Sequence, residues 1–127
     1  MLLKLLSGFV LIGMTHMVGA TTPQDLLKSY ETQSGKANPT RGEQFFNAKH
    51  GKEWGCASCH ENPPNHDTKH IVTGKAIKPL APNANSIRFT DEAKAEKWFK
   101  RNCNDVLGRD CSAQEKADVL SWLMTVK

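Results

Sequence analysis

Methionine is scarce where it would matter: Met1, Met14 and Met17 fall within the first seventeen residues and only Met124 lies beyond them. No run of lysine and arginine interleaved with aromatics occurs, and the formal charge of +4 is modest and scattered. That combination excludes a nucleic-acid-binding reading. No apolar stretch approaches the roughly 20 residues that a membrane-spanning helix needs. The longest, Leu5–Met14, has ten residues. Alternating strand and helix patterns are also missing, which sets aside parallel α/β enzymes.

What is present begins with an export signal. Lys4 supplies a short positive start, Leu5–Met14 the apolar stretch, and Val18-Gly19-Ala20 a small-residue cleavage pattern. Residues 1–20 are therefore expected to be a signal peptide, with the mature chain starting at Thr21 in the periplasm. Its removal takes away one lysine, so the net charge falls from +4 to +3. About 107 residues remain, enough for one small domain that gains from a cofactor or a crosslink. Four cysteines form two pairs, Cys56 with Cys59 and Cys103 with Cys111. Unpaired thiols rarely persist in an oxidising compartment, so each pair needs a covalent account.

Cys56-Ala57-Ser58-Cys59-His60 reads C-x-x-C-H. Two thiols three residues apart can each add to a vinyl group on one porphyrin edge, and the adjacent imidazole is then placed to ligate the iron. The expectation is one covalent haem c on Cys56 and Cys59, with His60 as proximal ligand. A redox C-x-x-C normally accompanies a βαβ pattern. A zinc site needs two further ligands, which Cys103 and Cys111 supply only with unusual geometry.

Helix signals surround this motif. Asn38-Pro39 is an N-cap followed by Pro at N1. Ser112-Ala113-Gln114-Glu115 is a capping box opening a helix with Val119, Leu120, Trp122, Leu123 and Val126 on one side. A third helix is expected over 91–101 with Thr90 as its cap. A fourth, 24–33, carries a Leu26, Leu27, Tyr30 stripe expected to pack on the outside of the fold. Residues 61–89 read as a long, proline-containing loop. The predicted domains are the signal peptide 1–20, an N-terminal helical extension 21–38 and a cytochrome c domain 39–127.

The group facing His60 across the iron decides between electron transfer and ligand binding. Met124 sits within the C-terminal packing helix and reads as a core or surface residue. From the residues alone the distal position stays open among His50, His66, His70, an asparagine and no protein ligand. His50 reads as solvated. Asn102 is also a candidate helix C-cap, and Asn104 lies within reach of the same region.

Gly42 and Phe46 match the G-x-x-x-F helix of class I cytochromes c, and Trp122 with Leu123 matches the helix it crosses. The chain resembles that class, an all-α fold with a few helices and long loops around one covalent haem. Residues 101–111 resemble the sphaeroides haem protein family and its relative cytochrome c″. In both, two cysteines eight residues apart follow directly after a weak distal ligand, asparagine in the former and histidine in the latter. Trp98-Phe99, Val106-Leu107-Gly108-Arg109, Thr73-Gly74-Lys75 and Pro79-Leu80-Ala81-Pro82 extend the likeness over residues 39–127.

The resemblance implies a Cys103–Cys111 disulfide and Asn102 as a labile distal iron ligand. It also implies a di-haem cytochrome c as electron partner, with a membrane cytochrome b behind it, and small diatomic ligands such as oxygen or nitric oxide. An amide is a neutral, hard, weak donor that holds ferric iron better than ferrous. The expected function is a monohaem cytochrome that opens a ligand site when reduced, with haem-dependent oxygen or nitric oxide chemistry left open. The competing readings are a bis-histidine electron carrier using His66 or His70, and a structural or sensory haem domain.

Overall fold

The computed structural model describes Gly13 and residues 19–127. The expected signal peptide therefore lies outside the described residues except at positions 13, 19 and 20. Among the described residues no helix is long and apolar enough to cross a membrane.

Local capping sets the helix starts. Helix α1 (Pro23–Ser34) opens where the Thr22 hydroxyl accepts the Asp25 N–H at 3.1 Å, with Pro23 in the first turn. Helix α2 (Pro39–Asn47) opens on Asn38, whose side chain accepts the Arg41 N–H at 3.0 Å. One turn, α3 (Ala57–His60), carries the C-x-x-C-H motif. A two-stranded antiparallel ribbon follows, β1 (Thr68–Lys69) against β2 (Ala76–Ile77), with Thr68 opposite Ile77. Helix α4 (Glu92–Leu107) is capped by Asp91, which accepts the Lys94 N–H at 2.9 Å. Helix α5 (Ala113–Leu123) opens on the capping box, with the Ser112 side chain and the Glu115 carboxylate each holding the other's backbone N–H.

Helix α5 is the element on which α1 and α2 pack. On one side Phe46 of α2 joins Val119, Trp122, Leu123, Val126 and Ala81. Phe46 and Trp122 meet with ring centroids 4.9 Å apart. Gly42 makes this crossing possible, because a Cβ there would run into the Asp118 carbonyl oxygen of α5. On a second side Leu26 and Tyr30 of α1 pack with Ala95 of α4 and with Ala117 and Leu120. Each fully buried side chain of this size contributes about 1.5–3 kcal/mol.

One buried charge clamps the crossing. Asp118 accepts from the Asn38 N–H at 2.8 Å, from the Arg41 guanidinium and from the Gln114 amide at 3.0 Å. Burial alone would raise its pKa, but these donors together hold the carboxyl below its usual value.

Three features differ from the sequence reading. Helix α1 does not lie on the outside, since Leu26 is 1% and Tyr30 3% exposed; one helical turn separates them, so both face α5. The third helix is capped by Asp91 rather than Thr90 and runs past Arg101 to Leu107, ending on Gly108. The ribbon interrupts what read as unbroken loop.

Candidate haem site

Gly55 leads the chain into the motif. It is buried, and a Cβ there would run into the Ala48 carbonyl oxygen, so residues 48–55 fold back on themselves immediately before Cys56. The Ser58 hydroxyl accepts the Gly55 N–H at 3.0 Å, and the His60 N–H reaches the Cys56 carbonyl at 3.1 Å. One tight turn therefore presents Cys56, Cys59 and His60 together.

Both thiols are free and half-buried. Burial pushes the Cys56 thiol up to about 11. The Cys59 sulfur accepts the Ile71 N–H at 3.4 Å, which brings the ribbon's turn against the motif. His60 packs near Phe46, centroid to centroid 6.2 Å, so the α2–α5 core supports its ring from one side. Burial, then the positive Arg88 and the neighbouring His70, lower the His60 pKa to about 4. The imidazole is thus neutral at ordinary pH, the form in which it ligates a metal.

His50, His66 and His70 each have at least one ring nitrogen engaged elsewhere. His50 is not simply solvated: it is half-buried, its Nε2 lies 2.8 Å from the Phe45 carbonyl, and its ring stacks on Phe45 at 4.3 Å. Both ring nitrogens of exposed His66 are occupied, by Glu61 at 2.7 Å and Asn65 at 3.1 Å. Nδ1 of His70 accepts the Val72 and Thr73 N–H groups, each at 3.2 Å. Met124 is half-buried against the Leu26–Tyr30 cluster.

Asn102 lies within α4, not at its end, so the C-cap reading falls; the cap is Gly108 in the left-handed conformation. Ala95, Cys103 and Val106 of α4 are buried, and helical spacing puts Asn102 beside them and one turn from Trp98. Asn102 is half-buried, and its amide has no hydrogen-bond partner among the described residues. Asn104 is exposed and committed locally, donating to the Lys100 carbonyl and to Asp110 at 2.7 Å each. Cys103 and Cys111 are joined, with Cα atoms 5.6 Å apart. The bond ties the inner face of α4 to the residue before the α5 cap.

Arg88 falls in the stretch 61–89 that reads as loop. The structure half-buries it, with its guanidinium donating to the Pro79 carbonyl at 2.9 Å and the Lys78 carbonyl at 2.8 Å. No short-range pattern marks it, because its partners are main-chain oxygens nine and ten residues away.

Two free thiols on one turn, a neutral imidazole and uncovered apolar side chains beside them, Ile71 at 49% and Val72 at 63% exposed, fit a covalently held haem. The crossed α2–α5 pair with this turn beneath it defines a class I c-type cytochrome carrying one covalent haem c. Residues 32–123 match the family described as a domain of unknown function, DUF1924. The chain is 44% identical to cytochrome c″ of Methylophilus methylotrophus over 127 residues, 91% of this chain and 88% of that protein. It is 44% identical to the cytochrome c-type protein SHP of Cereibacter sphaeroides over 112 residues, 84% and 86% of the two chains. The structure of oxidised SHP, described as an oxygen-binding cytochrome c, superposes with a TM-score of 0.77 over 83% of this chain and 97% of that one. The chain belongs to the DUF1924 family and is homologous to cytochrome c″ and SHP.

Proposed function

We propose that this is a periplasmic monohaem cytochrome that binds a small diatomic ligand such as oxygen or nitric oxide when reduced, and exchanges electrons with a partner cytochrome. In this reading residues 1–20 are a cleaved signal peptide and 39–127 the cytochrome domain, with 21–38 preceding it. Cys56 and Cys59 attach the haem, His60 is the proximal ligand and Asn102 the distal one. Haem supplies an iron that binds a diatomic molecule and gains or loses one electron. The protein's part is to hold a neutral imidazole on one side and a weak, detachable amide on the other.

The observation that carries the reading is the contrast between Asn102 and its competitors. Asn104 and His66 spend their side-chain polar atoms on neighbours and His50 Nε2 and His70 Nδ1 are held by main-chain groups, whereas the Asn102 amide is half-buried with no hydrogen-bond partner among the described residues. An amide binds the harder ferric ion better than the ferrous one, so Asn102 is expected to let go on reduction. The disulfide at the next residue keeps its backbone in place, so the amide can return. SHP, described as oxygen-binding, supports the ligand class; the electron partner, a di-haem cytochrome c, follows from the family likeness.

Optical spectra of both oxidation states test this. The reduced protein is expected to be high-spin and to take up carbon monoxide, and Asn102→Ala to alter the ferric spectrum. A ferrous protein that stays low-spin and ignores carbon monoxide would sink the proposal and favour two strong ligands.

A further inference from the structure

A surface cleft of about 330 Å³ lies where α4 meets the start of α5, and Cys111 forms part of its wall. Glu96, Lys97 and Lys100 line it from α4, Asp110 from the connecting loop and Lys116 from α5. Lys97 and Lys100 share one face of α4, and helical spacing puts that face opposite Asn102. The cleft is therefore separate from the side on which the haem is proposed to sit. Three lysines stand against two carboxylates in it. Lys116 pairs with Glu96 at 2.6 Å, whereas Lys97 and Lys100 have no ion-pair partner among the described residues.

The disulfide meets this cleft unevenly. Cys103 is enclosed within α4 at 5% exposure, while Cys111, at 9%, borders the opening. Thiol–disulfide exchange requires an attacking thiolate with access to one sulfur, and a positive surrounding favours both that thiolate and the one that leaves. We infer that the cleft is where an acidic dithiol protein reduces the Cys103–Cys111 bond, and that opening the bond releases Asn102. One thiolate of the partner attacks the Cys111 sulfur, forming a mixed disulfide while Cys103 leaves as a thiolate. The partner's second thiol then displaces Cys111. Two electrons and two protons pass to the chain, and the partner ends as a disulfide.

Asn102 immediately precedes Cys103, so the bond limits how far its backbone can move. Asn104 to Asp110 and Arg109 to Glu115, each at 2.7 Å, hold the same stretch without sulfur. Reduction of the bond thus loosens this segment and leaves the helices in place. The distal position then opens while the iron is still ferric. The release of Asn102 rests on its proposed role as distal ligand; reduction of the bond from the cleft does not.

The test uses the ferric holoprotein with reduced thioredoxin, an acidic dithiol protein, and with dithiothreitol, which is small and uncharged. Thioredoxin should make both cysteines alkylatable in the folded protein. After alkylation and re-oxidation of the iron, the ferric spectrum should match that of Asn102→Ala. A thioredoxin whose second active-site cysteine is serine should be caught on Cys111, read by peptide mapping. Lys97→Glu/Lys100→Glu should slow thioredoxin about tenfold or more at low salt and dithiothreitol far less. A bond that yields to thioredoxin only after denaturation would make it a brace alone and overturn the inference. Capture on Cys103, or no effect of the lysine changes, would overturn the cleft as the route. Alkylated protein with an unchanged ferric spectrum, when Asn102→Ala does change it, would refute release and leave the ligand assignment standing. An Asn102→Ala spectrum identical to wild type would end the ligand assignment and the release with it.

Discussion

The two cysteine pairs of this chain meet the same chemical environment and are treated in opposite ways. Cys56 and Cys59 share one turn, are half-buried and are not bonded to each other. Cys103 and Cys111 are buried at 5% and 9% exposure and joined, one inside α4 and the other just ahead of the α5 cap. The first pair has its backbone fixed locally, by Ser58 and by the fold-back at Gly55. It keeps two sulfurs available for a cofactor. The second pair links two helices and leaves no sulfur for a cofactor. One spacing serves attachment, the other serves bracing, and the surrounding backbone decides which is which.

Substitutions can break that contrast or sharpen it. Replacing Cys56 and Cys59 together by serine is expected to abolish covalent haem, read as loss of haem stain on a denaturing gel. Phe46→Ala acts on the junction between the helix crossing and the motif, since Phe46 touches Trp122 and lies beside His60. It should cost about 3–5 kcal/mol in denaturant unfolding. Removing the second pair, Cys103→Ala with Cys111→Ala, should cost about 2–3 kcal/mol by the loop-entropy relation while haem stays covalently attached. Loss of haem from that variant would show that bracing and attachment are not separable. The smallest effect concerns pH. The Asp118 carboxyl is held below its usual value in the folded chain, so the stability it adds is complete above the ordinary carboxylate range of roughly 4 and fades as pH drops through its folded value. Asp118→Asn should therefore cost about 1–2 kcal/mol at pH 7 and progressively less in acid, measured by unfolding at pH 7 and pH 3.

Short-range signals were the legible ones. Asn38-Pro39 and the Ser112–Glu115 box opened helices where the sequence put them, because a cap is written within four residues. The G-x-x-x-F pattern gave the crossing, as a missing Cβ is visible in sequence. The end of α4 was misread: Asn102 suggested a stop, while Gly108, six residues on, provides the left-handed residue that ends it. Two-residue strands leave no periodicity to detect, so the 68–77 ribbon could not be read. Arg88, whose partners are backbone oxygens, and the depth to which Leu26 and Tyr30 are buried were settled only by tertiary packing.

The packing of α1 and α2 on α5 also has a consequence for timing. Synthesis proceeds from the N-terminus, so Leu26, Tyr30 and Phe46 emerge long before Leu120, Trp122 and Leu123, the residues that bury them. Their contacts span most of the chain, which makes core closure a late event. Until the last helix is released, Cys56 and Cys59 belong to an open chain. Cys56, which packs against the α2–α5 core, is therefore less covered until that last helix docks.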